Sequence, residues 1–299
     1  MNSKYYIPAG SAAAPYTVDV TPESAGWTES SLQVVDLGDG GEVTRDTTGI
    51  EVMIVPLAGG GSVEADGERF ELAPRASVFD GPADMVYIGL GTTYTLRGTG
   101  RIAICGARAA KSLPNRRVAA ADITVELRGA GNCSRQVHNF GAAGLFEADS
   151  LIAVEVITPG GNWSSYPAHK HDQNTEHESA LEEIYYFEID PGPKGPDSDS
   201  VDGSRGFGYH RVYGTPERPI EVLEEVRTGD TVLVPHGYHG PSVAAPGYHM
   251  YYLNVMAGPS AERAWKIVDD PEHAWLRGTW DDRAVDPRLP LHNPTSEGA

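Results

Sequence analysis

Short apolar runs, each closed by proline or glycine, dominate the first hundred residues of the chain. Residues 50–55, 85–88 and 101–105 are three such runs, and residues 59–61 are three consecutive glycines. Runs rich in β-branched residues predict half-buried strands, whereas glycine and proline predict the turns between them. Asp66 and Gly67 are typical of a tight hairpin turn. We therefore expect this half of the chain to form a small antiparallel barrel or sandwich.

The second half repeats the strand-and-turn pattern. Strands are predicted for residues 151–157, 207–213, 231–234 and 249–255. Residues 191–205 are rich in proline, glycine and serine, which predicts a loop. Residues 269–280 are expected to form a tail that wraps the body with a short helical turn. Because the chain has 35 glycines and 22 prolines, long helices are not expected, and the fold class is all-β.

A histidine pair and two later residues carry the most specific chemistry in the chain. His169 and His171 are two positions apart, so in a strand their side chains point to one face and Lys170 points to the other. Glu183 directly precedes an apolar run, and His239 follows a turn that contains proline and glycine. Imidazoles with a carboxylate suit zinc, manganese, iron or nickel rather than calcium. We therefore expect a metal site made of these side chains.

Other residues compete for this site. Glu182 and Glu176 are rivals of Glu183, which we prefer because it precedes the predicted strand directly. His177, in the polar loop, is a minor candidate ligand, and His236, in the turn beside His239, is expected to face outward. His210 and His249 are on predicted strands and are candidates for the lining of the cavity around the metal.

Composition argues against several classes of function. The formal charge of −19 disfavours binding to nucleic-acid backbones and anionic membranes, which carry charge of the same sign. No apolar run is long enough to span a bilayer or to serve as a signal peptide. Cys105 and Cys133 are expected to be reduced thiols. We expect a cytoplasmic protein whose first barrel binds no metal, since no histidine precedes His138.

The spacing of the histidines and the glutamate resembles the two motifs of the cupin superfamily. More specifically, the segments AHKHD, EEIYYFEI, GFGYHRVYG, GDTVLVPHGYHG, YYLNVMAG and DPEHAW, with SVFDGPADMVYI and RGAGNCSRQVHNF upstream, are similar to the 5-deoxy-glucuronate isomerase family of myo-inositol catabolism. The resemblance implies a bicupin, that is, two antiparallel β-barrels of the jelly-roll type. Residues 1–125 would form a barrel without a metal site, and residues 126–299 a metal-binding barrel with a wrapping tail.

The resemblance also implies a ligand set for one divalent ion, with zinc preferred over manganese or iron. Carried over to this chain, the ligands are His169, His171, Glu183 and His239. Two features depart from the common cupin spacing. Residues 172–182 lengthen the gap between the histidine pair and the glutamate, and only Tyr238 separates Gly237 from His239.

The family's reaction converts 5-deoxy-glucuronate into 5-dehydro-2-deoxy-gluconate, which is an aldose–ketose isomerisation through an enediol. It implies a metal that acts as a Lewis acid, a group that moves a proton, and a cation for the substrate carboxylate. Candidates for the proton transfer are Glu182, Tyr185 and Tyr251. Candidates for the carboxylate are Arg211, Arg135 and Arg128. Lys170 is set aside because it points away from the metal.

Two alternatives stay open, because a cupin fold hosts several functions. One is a metal-dependent cupin dioxygenase, and the other is a non-catalytic cupin that binds a sugar acid. The sequence contains neither a glycine-rich nucleotide motif nor a helix-turn-helix pattern. The expected partner is therefore a small sugar acid, without nucleic acid or membrane, and the chain is expected to form a homo-oligomer.

Overall fold

Antiparallel strands form most of the computed structural model, which describes residues 3–190 and 205–292. They lie in three sheets of eight, seven and six strands. The helical elements of the described residues are one α-helical turn, Pro22–Ala25, and 3₁₀ turns at Ala120–Asp122, Gly131–Cys133 and Ala274–Thr279. The predicted all-β class is confirmed, and no helix in these ranges is long and apolar enough to cross a membrane. Of the loop predicted for residues 191–205, all but Arg205 lies outside the described residues.

The eight-stranded sheet forms a first unit. In chain order the strands up to residue 118 are β1 Tyr6–Ile7, β2 Tyr16–Val20, β3 Ser30–Asp36, β4 Gly41–Asp46, β5 Ile50–Ala65, β6 Glu68–Arg75, β7 Met85–Ile88, β8 Thr93–Arg108 and β9 Arg116–Val118. All but β1 belong to this sheet. β5 and β8 pair along their whole length, with β3 and β7 beside one end and β4 and β6 beside the other. The hairpin predicted at Asp66 and Gly67 is confirmed, because both residues have positive φ between β5 and β6.

The glycine run at residues 59–61 lies inside β5 and not in a turn. A Cβ on Gly61 would lie 2.0 Å from the carbonyl oxygen of Arg97, and one on Gly98 would lie 2.3 Å from the carbonyl oxygen of Gly60. Glycine therefore allows the backbones of β5 and β8 to approach closely at these positions. The strand predicted for residues 50–55 continues through the glycines as one long strand that ends at Ala65.

The other two sheets form a second unit around one apolar core. Its strands are β10 Val125–Arg128, β11 Arg135–Gly141, β12 Ile152–Thr158, β13 Trp163–Ser164, β14 His169–Lys170, β15 Glu182–Ile189, β16 Gly208–Tyr213, β17 Glu221–Val226, β18 Thr231–Val234, β19 Tyr238–Ala244, β20 Met250–Ala257 and β21 Val268–Asp269. The larger sheet has the order β1-β18-β15-β20-β12-β11-β10, and the smaller has β17-β16-β19-β14-β21 with β13 beside β19. Phe187 of the larger sheet and Val212 of the smaller pack in the core between them.

Strand β1 joins the second unit although it precedes the first unit in sequence. It pairs with β18, where Tyr6 lies opposite Val232. The Tyr6 hydroxyl donates a 2.8 Å hydrogen bond to Asp230, and the N–H of Ala9 donates a 2.9 Å bond to the same carboxylate. We keep residues 1–125 and 126–299 as the proposed units, with β1 contributed by the first to the second.

Two carboxylates hold the units together in a reciprocal arrangement. Glu182, on β15, accepts 2.9 Å hydrogen bonds from the backbone N–H groups of residues 28–30, where β3 begins. Glu51, on β5, accepts bonds of 2.7 to 2.9 Å from the N–H groups of residues 149–151, directly before β12. Hydrogen bonds to an ionised carboxylate are stronger than neutral ones. Each unit thus fixes the entry of a strand in the other.

A buried ion pair adds to this interface. Arg75 of the first unit contacts Glu155 of β12, and Glu155 also lies 2.9 Å from Nδ1 of His138 and accepts a 2.9 Å bond from the Tyr251 hydroxyl. Burial alone would raise the pKa of Glu155, but the charge of Arg75 and the contact with His138 outweigh it and lower the pKa to about 2. The glutamate is therefore ionised and fully partnered at neutral pH.

The Glu182→Ala variant is expected to unfold more readily, because three backbone N–H groups lose their acceptor. We expect its free energy of unfolding to fall by about 2 kcal/mol. Denaturant unfolding of the full chain measures this, with Glu176→Ala as the control, since the Glu176 side chain is 88% exposed. Superimposable unfolding curves for Glu182→Ala and the parent would refute the role of this carboxylate at the interface.

The chain after β20 runs back across both units. Strand β21 pairs with β14, so that Asp269 lies opposite His169. Further on, the N–H of Leu291 donates a 3.0 Å hydrogen bond to the Gln136 side chain, and Leu291 packs against the apolar core shared by the two units. This tail therefore lies directly beside the histidine pair.

Candidate metal centre

Strands of both sheets bring the expected ligands together between them. β14 and β19 are neighbours, with His169 opposite His239, and β15 in the facing sheet carries Glu183. Because side chains alternate along β15, Glu183 points inward and Glu182 points to the first unit. His171 follows β14 directly. The four side chains, His169, His171, Glu183 and His239, are all buried, and we call them the metal centre.

Two of the histidines contact the same carboxylate oxygen of Glu183. Nε2 of His171 lies 2.9 Å and Nε2 of His239 lies 3.0 Å from Oε2 of Glu183. His169 stands beside them, with its ring centroid 4.6 Å from that of His239 and 6.3 Å from that of His171. Two ligands that bind one ion at about 2.1 Å and at right angles to each other lie about 3 Å apart. The observed spacing therefore suits a single bound ion.

Backbone carbonyls orient all three imidazoles. Nδ1 of His169 lies 3.3 Å from the carbonyl oxygen of Pro167, and Nδ1 of His171 lies 3.3 Å from that of Leu181. Nδ1 of His239 lies 3.1 Å from the carbonyl oxygen of Gly237. A carbonyl can only accept, so each Nδ1 carries a hydrogen, and in the neutral form of each ring the lone pair is on Nε2. This is the arrangement that metal-binding histidines take in proteins.

The polar atoms of the metal centre favour binding of a cation. Nε2 of His239 is buried without a hydrogen-bond partner among the described residues, since its contact with Glu183 lacks hydrogen-bond direction. Burial lowers the pKa of His169 well below its ordinary value, and the neighbouring imidazoles add to this effect. Burial would raise the pKa of Glu183, but electrostatic attraction to His239 and the hydrogen bond with His171 outweigh it and lower the pKa. Burial would lower the pKa of His171, but its hydrogen bond with Glu183 outweighs this and raises the pKa. A neutral imidazole beside an ionised carboxylate fits a divalent metal.

A cavity of about 180 Å³ adjoins the metal centre through His169. Both sheets and the tail form its wall, which consists of Arg128, Arg135, Val137, Val156, Ser165, His169, Tyr185, Tyr252, Asn254, Trp265, Ile267 and Arg277. Pockets for drug-sized ligands enclose roughly 300–1,000 Å³. The cavity therefore suits a small metabolite.

Arg135 differs from the other two arginines of the wall. Arg128 is paired with Glu126 at 2.7 Å, and Arg277 is paired with Asp269 at 2.7 Å. Arg135 is buried, donates a 3.1 Å hydrogen bond to the carbonyl of Cys133, and forms no ion pair with any described residue. Burial lowers its pKa to about 10, which leaves the guanidinium charged at neutral pH. A buried cation without a counter-ion favours an anionic ligand.

Two further wall residues offer unused donors. Nδ2 of Asn254 and Nε1 of Trp265 are buried and have no hydrogen-bond partner in the described parts of the chain. Buried polar groups are normally paired, so unpaired ones in a cavity wall indicate a ligand or water. All of these free groups are donors, as is Arg135, and a ligand rich in oxygen atoms would satisfy them.

Comparison with known proteins places this site in a family. Residues 5–276 match the KduI/IolB family. The chain belongs to this family. A 5-deoxy-glucuronate isomerase of Geobacillus kaustophilus (strain HTA426) is 43% identical over 264 residues, which are 87% of this chain and 90% of that protein. A 5-deoxy-glucuronate isomerase of Bacillus subtilis (strain 168) is 40% identical over 263 residues, which are 86% of this chain and 91% of that protein.

Solved structures agree with this assignment to the KduI/IolB family. An IolB-like protein from Salmonella typhimurium LT2 superimposes with a TM-score of 0.80 at 34% identity, covering 91% of this chain and 98% of that one. An oxalate decarboxylase from Lactobacillus farciminis shares the fold alone, with a TM-score of 0.59 at 10% identity over 90% of this chain and 89% of that one. The predicted bicupin fold class is confirmed, and so is the resemblance to the isomerase family.

Of the two tyrosines predicted for proton transfer in this KduI/IolB-family chain, only Tyr185 lines the cavity. Its hydroxyl lies 2.9 Å from Oγ of Ser165. Tyr251 points to the opposite face of β20, where its hydroxyl donates to Glu155 at the interface between the units. Successive residues of a strand face opposite sides, so Tyr252 and not Tyr251 reaches the cavity.

The structure also places Glu182 and Arg211 away from the cavity. Glu182 binds the backbone of residues 28–30 at the interface. Arg211 lies on the outer face of β16, its side chain 44% exposed and stacked over the ring of Tyr213. The inward position next to it is taken by His210, because the strand alternates. Neither residue contacts the metal centre.

Of the four other histidines that the sequence offers for this site, only His210 lies close to it. His210 is buried 4.4 Å from the Tyr185 ring between centroids, and burial followed by the charge of His239 lowers its pKa to about 3. Its Nδ1 lies 2.8 Å from Oγ of Ser242. The others lie elsewhere, with His177 exposed, His236 half-buried and His249 bonded to the N–H of Gly160.

Proposed function

We propose that this chain is a metal-dependent aldose–ketose isomerase that converts 5-deoxy-glucuronate into 5-dehydro-2-deoxy-gluconate in myo-inositol catabolism. One observation carries the proposal, namely a small cavity whose wall contains both the metal-centre residue His169 and the guanidinium of Arg135, which has no counter-ion among the described residues. An aldehyde acid needs a Lewis acid near its carbonyl and a cation at its carboxylate. The isomerase names of the KduI/IolB relatives support the same reaction.

His169, His171, Glu183 and His239 are the proposed ligands of one divalent ion. Zinc is our first choice because it accepts imidazole nitrogen and carboxylate oxygen together, and manganese and iron are the alternatives. When bound, the ion supplies Lewis acidity that stabilises negative charge on the substrate oxygens. With Glu183 engaged as a ligand, its carboxylate does not serve as a free base.

Arg135 is the proposed anchor of the substrate carboxylate. Its guanidinium presents a planar array of donors that matches a carboxylate, and the stacked ring of Trp280 lies 5.5 Å from it. Asn254 and Trp265 supply free donors for the substrate hydroxyls. Arg128 lines the same wall, but its charge is already neutralised by Glu126. We therefore assign it to the rim of the cavity and not to binding of the substrate carboxylate.

Tyr185 is the proposed proton carrier at a substrate oxygen. In the reaction a base takes the proton from the carbon beside the aldehyde, an enediol forms, and the protonated base adds a proton to the former aldehyde carbon. Burial, followed by the charge of Glu183, raises the pKa of Tyr185 well above its ordinary value, so its phenol is protonated and donates. Ser165, 2.9 Å away, holds the phenolic oxygen in place, so that Tyr185 gives its proton to the aldehyde oxygen and the phenolate takes one back from the neighbouring substrate hydroxyl.

The reaction itself is tested without oxygen, in deuterated water, with only metal-loaded protein and 5-deoxy-glucuronate. We expect turnover to the keto acid, with deuterium at the former aldehyde carbon, and no turnover after the metal is removed with a chelator. An absolute need for oxygen would replace this proposal with the cupin dioxygenase. Stoichiometric binding of the sugar acid to metal-loaded protein without turnover would replace it with the non-catalytic cupin.

A further inference from the structure

The segment between the histidine pair and Glu183 is closed at its base. Asp172 and Ala180 form an isolated β-bridge, and the N–H of Leu181 donates a 2.9 Å hydrogen bond to the carbonyl of His171. The residues that lengthen this gap in the sequence therefore form a loop, and both ends of the loop lie next to the metal centre.

A buried lysine ties the loop together from within. Lys170 points away from the metal centre, and its Nζ donates to Asp172 at 2.9 Å and to both oxygens of Glu178 at 2.7 and 2.8 Å. Nη1 of Arg218 lies 3.2 Å from the other oxygen of Asp172, so two cations balance two carboxylates. The hydrogen bonds and the charge balance compensate for burial. We call Lys170, Asp172 and Glu178 the lysine cluster.

One end of the cluster reaches His239 through a single residue, Gly237. Oδ2 of Asp172 accepts a 3.0 Å hydrogen bond from the N–H of Gly237, and the carbonyl of Gly237 contacts Nδ1 of His239 at 3.1 Å. Gly237 has a φ of +93°, and a Cβ there would lie 2.7 Å from the carbonyl oxygen of Tyr213. A side chain at position 237 would clash and cannot hold this turn in place, so the hydrogen bond from Gly237 to Asp172 holds it instead.

The other end of the loop orients His171. The carbonyl of Leu181 lies 3.3 Å from Nδ1 of His171, and Glu178 accepts hydrogen bonds of 2.7 and 3.2 Å from the N–H groups of Asp172 and Gln173. The loop thus supplies the outer contact of His171 directly through Leu181, and it supports the outer contact of His239 through the bond between Asp172 and Gly237. Groups that hold the ring of a metal-binding histidine tune the affinity of the metal.

We propose that the lysine cluster is a positioning device that orients the His171 and His239 rings for metal binding. The inference rests on the proposed function, because it assumes that these rings bind the metal. It assigns a role to the lengthened gap between the histidine pair and Glu183, which the ligands themselves do not require.

The test titrates metal-free protein with Co²⁺, following the visible absorption of the bound ion and its dissociation constant by chelator competition. Asp172→Ala is expected to weaken Co²⁺ binding by about 10- to 100-fold and to alter the visible spectrum. Asp172→Asn keeps an oxygen for the Gly237 N–H and is expected to recover most of the affinity. If Asp172→Ala does not fold, the double variant Lys170→Met with Glu178→Gln, which removes both charges, takes its place. We expect the same loss of Co²⁺ affinity from it.

A matched control is the exposed ion pair between Lys266 and Glu262, whose Nζ and Oε2 lie 3.1 Å apart. Lys266→Met with Glu262→Gln should leave the affinity and the spectrum of Co²⁺ unchanged. Cluster variants that bind Co²⁺ like the parent would overturn the positioning role and leave the proposed function intact. A parent protein that binds no Co²⁺ would overturn both.

Discussion

The His239→Ala variant is expected to lose its divalent metal while it keeps its fold. His239 lies on β19 opposite His169 and shares an oxygen of Glu183 with His171, so its loss removes one side of the site. Removal of the ion takes away several kcal/mol of stabilisation from the reacting oxygens. We expect turnover to fall by at least about 10³-fold, because each 1.4 kcal/mol corresponds to one factor of ten.

Elemental analysis and circular dichroism of the purified variant measure metal and fold together. His177→Ala is the control, because the His177 side chain is 83% exposed and lies in the loop outside the centre. We expect it to keep its metal. A His239→Ala protein with full metal content would remove that residue from the ligand set. His169→Ala tests the fourth ligand in the same way, since the ligand atoms of His171, Glu183 and His239 lie within 4.8 Å of one another and His169 is not part of that group.

The structure brings together the four side chains that the sequence selects as ligands, because the pattern that selects them is local. Their binding of a metal stays a prediction. His169 and His171 share a strand face by alternation alone, and Glu183 is marked by the apolar run behind it. The same rule separates Glu183 from Glu182 once one of the two is known to point inward. The role of Glu182 at the interface, in contrast, depends on residues 28–30, which are far away in sequence.

The cavity is less predictable because its strands are buried on both faces. Every residue of β20 is buried, so hydrophobicity does not show that Tyr252 and Asn254 face the cavity and Tyr251 faces the interface. What the sequence does not show is which alternate residues of β20 point to the cavity. This choice could have been set from β15, because Asn254 lies opposite Tyr185 in the register of the two strands.

The tail residues Trp265 and Arg277 could not have been found from any periodic pattern. They belong to irregular chain after the last long strand, and only the pairing of β21 with β14 brings them to the wall. Irregular segments carry no hydrophobic period, so their position is set by tertiary contacts. Similarly, the sequence does not show that Arg211 faces solvent, since an arginine on a strand has no preferred face without its neighbours.

Arg135→Met is expected to separate substrate binding from metal binding. The buried guanidinium has no carboxylate partner among the described residues, and the proposed substrate supplies one. Loss of one partner of a buried, hydrogen-bonded charge pair costs about 3–4 kcal/mol, so we expect kcat/KM to fall by about 10²- to 10³-fold. The substrate carboxylate is remote from the reacting carbons, so most of the loss should appear in KM.

Two further readouts make the Arg135→Met result specific. Metal content should equal that of the parent, and thermal unfolding should occur at a higher temperature, because an unpaired buried charge is replaced by an apolar side chain of similar length. Arg211→Met, on the exposed face of β16, is the matched control and should keep kcat, KM and metal. An Arg135→Met enzyme with the parent's KM and a reduced kcat would place this guanidinium at the reacting atoms, and one with unchanged kinetics would leave the substrate carboxylate to another group.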